Sequence, residues 1–313
     1  MLSRFKFMNP FFSVVISVYN KEDYISGTIR SVINQTFQDF EVIIVNDGST
    51  DKSLKIINQF DDPRIIIINQ ENKGASHARN QGIKSAKGTF IALLDGDDLW
   101  DEKFLENIHK AIYQYPDESV FTSAIAHKYN TEIQPVSYSF NSKKEILILD
   151  YFEASQDHTI LSGSSTVFRK SIIAVTGNFD ESITSGEDTD LWIRFGIHHK
   201  IIFINKILVY YIFINDSLSN SDYNLKMKPK FDKYIEEEKN NHYLKKFLDR
   251  NRFSLSILSK LHNDKDSFEF YKNSLSVKNL TFKRQVLLNS PKWLILALLK
   301  LKSLTGKKLY YKS

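Results

Sequence analysis

The stretch Phe90–Trp100 constrains this chain more than any other. An unbroken apolar run, Phe90-Ile91-Ala92-Leu93-Leu94, delivers Asp95, Asp97 and Asp98 within four positions. Continuous rather than alternating hydrophobicity is the pattern of a strand buried on both faces of a parallel sheet. Open α/β sheets bind their ligands at the carboxyl ends of such strands. Carboxylates this close repel one another unless a cation or hydrogen-bond donors hold them, and the hard cations Mg2+ and Mn2+ take oxygen ligands. The alternative for the same residues is a solvated acidic turn, with Asp98 or Asp101 capping a helix over about residues 101–115.

The preceding residues supply the neighbours such a strand needs. Ser13–Tyr19, Glu41–Asn46 and Arg64–Asn69 read as three more buried strands. Helical spacing separates them over 22–35, from the Asp47–Asp51 turn to about Phe60, and over 74–86. This alternation predicts an α/β fold with a mixed, mainly parallel sheet flanked by helices. Strand ends then bring Tyr19-Asn20, Asp47, Asp95 and Asp97 to one edge. No G-x-G-x-x-G follows the first strand and no G-x-x-x-x-G-K-[ST] occurs, so dinucleotide and P-loop readings lose their main support.

Further on, Val120–Ile125 reads as a strand, Lys143-Lys144-Glu145 as the start of a short helix to Phe152, and Ser164–Arg169 as strand-like. Ser185 and Asp188 have capping-box spacing ahead of a helix with Leu191, Trp192 and Phe195 inward. Asp188 is then either the carboxylate of that box or a general base at a helix start. Ile201–Ile204 and Ile207–Phe213, separated by Asn205-Lys206, look like a hairpin or paired edge strands, and 216–220 like a loop.

A composition shift places a boundary near 221. Residues 1–220 hold 21 Lys+Arg and 28 Asp+Glu, a net of −7, whereas residues 221–313 form a basic helical region with 21 and 9, a net of +12. A basic region on an acidic body suggests an anionic partner. Its last helix opens at Ser290-Pro291 and carries Trp293 beside a short apolar run among lysines. That run is too short to span a bilayer; it either lies in a membrane interface or packs on the preceding helices. No nucleic-acid motif accompanies the charge, so nucleic acid is not expected as a partner. The lack of cysteine fits a reducing compartment, and Phe11–Val18 lacks a cleavage site and reads as a strand, not a signal peptide. The expectation is a cytoplasmic protein, peripherally in contact with the inner face of an anionic membrane.

Five segments together resemble the family 2 glycosyltransferases: Val14–Asn20, Val45–Asp51, Asn72-Lys73-Gly74 with Ala78-Arg79-Asn80, Leu94–Asp98, and Gly186-Glu187-Asp188 with Leu191-Trp192 and Arg194. The resemblance covers about residues 12–220 and implies a GT-A catalytic domain over 1–220. It implies an inverting, hexosyl-type enzyme that moves a sugar from a nucleotide-sugar donor, UDP-sugar foremost, to a hydroxyl of a glycan or lipid-linked glycan in surface polysaccharide synthesis. By the same resemblance Val18, Tyr19, Asn20 and Asp47 would hold the nucleobase, Arg79 would sit near the nucleotide, and Asp95 would contact the ribose or assist the metal. Asp97 would bind Mn2+ or Mg2+ at the diphosphate, Asp188 would be the catalytic base, and Glu187 and Trp192 would lie near the sugars.

The chain departs from the family pattern in places. Ser17 stands where proline is common, and Tyr211-Ile212-Phe213-Ile214 before Ser217-Leu218-Ser219 supply neither the Arg nor the His that many members carry there. The Gln-x-x-Arg-Trp of processive synthases is absent, which favours single-sugar transfer. Two other readings remain: a sugar-1-phosphate nucleotidyltransferase, which normally needs a glycine-rich loop that Val18 is not followed by before Gly27, and a degenerate sugar-nucleotide-binding protein.

Overall fold

The computed structural model describes residues 9–129, 132–212 and 227–304. Its first part alternates as the hydrophobic runs predict: β1 (Phe12–Val18), α1 (Ile25–Ile33), β2 (Phe40–Asp47), α2 (Ser53–Ile57), β3 (Ile65–Gln70), α3 (Ala75–Ser85) and β4 (Phe90–Asp95). All of β2 is buried, and so is β1 except Ser17. Helices on both faces make that possible, with α1 contributing Ile25, Ile29 and Val32 and α3 contributing Ala78 and Ile83. β1 runs parallel to β2 and β4, and β2 parallel to β3. The register sets Val18 beside Asn46 and Ser17 beside Asp95, so the functional ends of the strands are level.

The sheet then becomes mixed. β5 (Leu99–Trp100), α4 (Phe104–Gln114), β6 (Val120–Tyr129), β7 (Glu132–Pro135), β8 (Ile146–Leu149), α5 (Tyr151–Ala154), β9 (Val167–Arg169), α6 (Ile173–Thr176), α7 (Glu187–His198) and β10 (Ile201–Ile212) follow. The strand order is β3-β2-β1-β4-β9-β6-β10-β5, with β7 on β6 and β8 on β10. β9 is antiparallel to both β4 and β6, which joins the parallel half to the rest.

Three expectations are corrected. The helix read from 143 to 152 is instead β8, antiparallel to β10, followed by the single turn α5 capped by Asp150. Pairing with a distant strand overrides the local helical spacing there. The apolar runs after 200 are not a hairpin: they form one strand, β10, parallel to β6. A register shift between Ile204 and Ile207 leaves Asn205 and Lys206 exposed, so two polar residues are accommodated without ending the strand. The helix start also differs: Gly186, not Ser185, occupies the N-cap of α7, at φ 88°. Met1–Met8, Phe213-Ile214, the 216–220 loop and Lys307-Lys308 lie outside the described residues.

Asp98 is not a helix cap either. It is 2% exposed. The Ser164 hydroxyl donates to its Oδ2 at 2.5 Å, and the Ile212 N–H donates to its Oδ1 at 3.1 Å. Burial, then the charges of Asp97 and Asp95, push its pKa well above the usual carboxylate range. The carboxyl thus ties the turn after β4 to the 162–166 loop and to the end of β10.

The chain divides into two compact units, Met1–Asn215 and Asp216–Ser313. In the second, α8 (Ile235–Asn240), α10 (Lys265–Ser274), α11 (Phe282–Asn289) and α12 (Lys292–Leu304) each contact α9 (His242–Leu261). Phe253, Ile257, Leu275, Leu280, Leu288 and Ile295 form its core. Arg252, 1% exposed, donates to Glu238 at 2.6 Å, and Lys260 donates to the Leu288 and Ser290 carbonyls where α11 meets α12. The last helix therefore packs on its predecessors through Ile295 and Leu299. No described helix is long and apolar enough to cross a membrane.

Asp98→Ala leaves the Ile212 N–H and the Ser164 hydroxyl without this partner and is expected to cost about 2–4 kcal/mol in urea unfolding at pH 7. Asp98→Asn keeps an acceptor for Ile212 and a bond to Ser164 without a buried charge, so its unfolding midpoint should stay close to that of the parent.

Candidate active site

α3 carries Arg79 on its inner face, and the guanidinium meets three carboxylates from two other elements. Nη1 donates to Glu187 Oε1 at 2.9 Å and to Asp188 Oδ1 at 3.1 Å, and Nη2 donates to Asp95 Oδ1 at 2.7 Å. Arg79 is 6% exposed and lies over the Phe179 ring at 5.2 Å. Burial works against its charge, but Asp188, Asp95 and Glu187 outweigh it and hold the pKa well above the ordinary arginine value. One residue thus fixes the end of β4 against the start of α7.

The four groups are not equivalent. Asp188 has its pKa pushed up to about 7, chiefly by burial; Arg79 pulls it down, and Glu187 and Asp95 push it up. Its side chain keeps 30% of its surface open, and Asp95 keeps 27%. Asp188 Oδ1 is taken by Arg79, which leaves Oδ2 as the oxygen to accept a proton. A carboxyl poised near neutrality and partly open to solvent can act as a general base.

Asp97 pairs with Lys21 at 2.5 Å, and both side chains are mostly covered. Burial raises the Asp97 pKa, Lys21 opposes that, and the charge of Asp95 adds to the rise. Asp95 and Asp97 present only oxygens, the donor chemistry that suits a hard divalent cation shared with substrate phosphates. Among the described residues no group of three His, Cys, Asp or Glu side chains is arranged to hold a metal ion by itself.

The nucleotide residues read from the sequence sit at the same edge. Asp47, 2% exposed, accepts from Gln70 Nε2 at 2.7 Å, Lys73 N at 2.9 Å and Gly74 N at 2.9 Å. A carboxylate has about four acceptor sites, so two are committed to the turn that launches α3 and a third to Gln70 at the end of β3. Asn20 accepts from Thr50 N at 2.8 Å and donates its own N–H to Ser49, joining the loops after β1 and β2. Tyr19 is half-buried beside it and Val18 is in the core. Trp192 is 2% exposed and packed on Phe179 and Phe195, on the inward face of α7 that its helical spacing predicts.

Sequence reasoning missed Lys21, Gly163 and Tyr211. Lys21 directly follows Tyr19-Asn20, a signal that was available. Tyr211 is hydrogen-bonded to Ser162, and burial with the charges of Asp98, Asp95 and Asp188 raises its pKa well above normal. Gly163 approaches the carboxylates so closely that a Cβ there would lie 2.8 Å from Asp95 Oδ2 and 3.1 Å from Asp188 Oδ2. A separate groove of about 810 Å3, between α3 and the 169–181 segment, is lined by none of these acids. Gly163→Ala should lower turnover severalfold by pushing Asp95 Oδ2 and Asp188 Oδ2 back by a few tenths of an ångström, while the far-UV spectrum and melting profile stay near the parent's.

The sequence model described as Glycosyl transferase family 2 matches residues 13–176. The glycosyltransferase GlyG of Streptococcus pneumoniae serotype 4 is 36% identical over 136 residues, 42% of this chain and 44% of its own. WfaP of Escherichia coli, a UDP-Glc:alpha-D-GlcNAc-diphosphoundecaprenol beta-1,3-glucosyltransferase, is 44% identical over 112 residues, 36% of this chain and 43% of its own. The matched segments therefore span less than half the length of these relatives. The crystal structure of S. aureus TarS 1-349 in complex with UDP-GlcNAc is similar with a TM-score of 0.71 at 21% identity, covering 96% of this chain and 93% of that one. The fold is accordingly the GT-A fold. With the family's segment covering more than half of its length, the chain belongs to glycosyl transferase family 2.

Proposed function

We propose that the chain is an inverting glycosyltransferase that moves one sugar from a nucleoside-diphosphate sugar, UDP-sugar foremost, to a hydroxyl of a glycan or lipid-linked glycan acceptor at the cytoplasmic side of the cell envelope. The observation that carries this reading is the convergence of Asp95, Glu187 and Asp188 on Arg79, with Asp97 two residues from Asp95. The UDP-sugars in the descriptions of WfaP and the TarS complex support the choice of donor.

In this mechanism Asp188 Oδ2 takes the proton of the acceptor hydroxyl as its oxygen attacks the anomeric carbon from the face opposite the diphosphate. Base catalysis of this kind contributes roughly 10²–10⁴-fold. A single displacement inverts the anomeric centre and needs no protein nucleophile. Arg79 holds Asp188 and Asp95 in place, and Glu187 supports Arg79 rather than meeting substrate. Asp97, with Asp95 beside it, would hold Mn2+ or Mg2+, which when bound neutralises charge on the departing diphosphate. Lys21 would then turn from Asp97 toward the phosphates. Val18, Tyr19, Asn20 and the one uncommitted acceptor site of Asp47 form the side of the cleft assigned to the nucleobase.

Nucleoside-diphosphate release across UDP-, GDP- and dTDP-sugars, with and without Mn2+, tests the reading. One donor should stand out, and chelation should abolish its turnover. Pyrophosphate release would favour a nucleotidyltransferase instead, and calorimetric binding without turnover would favour a non-catalytic protein.

Asp188→Asn should lower kcat by roughly 10²–10⁴-fold with donor affinity retained. In the parent, the base must be ionised. Because burial raises its pKa to about 7, kcat/KM should climb as pH rises through 7 and level off above it. A flat profile between pH 5.5 and 8.5 would remove Asp188 from this role.

A further inference from the structure

α12 is apolar on two opposite sides. Ile295, 2% exposed, and Leu299 pack into the core of the C-terminal unit. At about 100° per residue, Trp293 and Ala297 fall on the far side of the helix from Ile295, with Leu296 and Leu301 on their flanks. That face is open: Trp293 is 69% exposed, Leu301 60% and Leu296 46%. In the same unit α11 exposes Phe282 and Val286 one turn apart, at 79% and 48%. Lys300 falls on this same side, between Leu296 and Trp293, so the open face is apolar around one lysine.

Charge indicates what covers it. Residues 270–313 contain ten Lys or Arg and no Asp or Glu. Lys283, Arg284, Lys292 and Lys300 all lie on the two helices that carry the exposed apolar residues. A purely apolar protein surface would gain nothing from a uniformly cationic border. An anionic bilayer meets both demands: its acyl boundary takes the apolar side chains, its phosphates attract lysines, and its headgroup level suits tryptophan. The helix has 13 residues, too few to span, so it would lie in the interface plane. We propose that the exposed face of α12, with Phe282 and Val286 of α11, docks on an anionic phospholipid surface.

The protein carries its own reporter. Trp100 and Trp192 are 4% and 2% exposed, so Trp293 dominates any change in tryptophan environment. The full chain is mixed with vesicles of phosphatidylcholine alone, or of phosphatidylcholine with phosphatidylglycerol, and followed by fluorescence and co-sedimentation. Binding with a blue shift is expected on the anionic vesicles, weakened about tenfold or more by high salt. Trp293→Phe should lose the shift and still sediment. Leu296→Asp with Leu301→Asp should abolish binding, and Lys283→Glu with Lys300→Glu should weaken it with no apolar residue changed. All four positions are exposed, so circular dichroism should match the parent. No sedimentation with anionic vesicles, equal binding to neutral ones, or a self-associated state that buries Trp293 without lipid would each overturn the proposal.

Discussion

A guanidinium without water around it is tolerable only if carboxylates replace the water, and this requirement at Arg79 organises the acidic cleft. Burying an unpaired charge is prohibitive, whereas a planar fork facing carboxylates on several sides is stable and directional. Arg79 reaches Asp95 through one terminal nitrogen and Glu187 and Asp188 through the other. Those partners belong to β4 and α7, far apart in the chain. The position of Arg79 itself depends on α3, whose start is set by the turn that Asp47 holds through Lys73 and Gly74. A chain of dependence therefore runs from the end of β2, through one turn of backbone and one side chain, to the proposed base.

A second set of contacts closes the cleft from the other side. Ser164 Oγ accepts from the Asp95 N–H and donates to Asp98, so one hydroxyl joins the end of β4 to a buried carboxyl. Asp98 in turn accepts from Ile212 at the end of β10. This places Gly163 against Asp95 and Asp188, where a side chain would crowd both carboxylates. Arg79 sets which oxygens point inward, and the 162–166 loop sets how much room they have.

Much of this was legible in the chain because of how it is buried. A strand covered on both faces leaves a run of apolar residues with no ambiguity of phase, so β1, β2 and β4 and the acids at their ends could be read directly. β8 and the bulged β10 could not, because their identity rests on pairing between residues 52 to 84 positions apart. The helical spacing of Leu191, Trp192 and Phe195 marks the inward face of α7 correctly. Lys21 and Gly163 carry no periodic signal. One is a flexible cation whose partner, Asp97, lies 76 residues away, and the other matters through an atom it lacks.

The unit that holds the acids is itself acidic, with residues 1–220 at a net of −7, and a nucleoside-diphosphate donor is also anionic. Attraction of such a donor cannot come from the overall field. It has to come from local positive groups, and two stand beside these acids: Arg79, whose donors are committed to carboxylates, and Lys21, whose ammonium rests on a single one. Releasing Lys21 from Asp97 leaves that carboxylate buried beside Asp95, which is costly unless another cation replaces the ammonium. In the proposed mechanism a divalent cation at Asp97 and Lys21 at the diphosphate would therefore be complementary. Each makes the other affordable, and a donor arriving without the metal would have to compete with the carboxylate for the same ammonium.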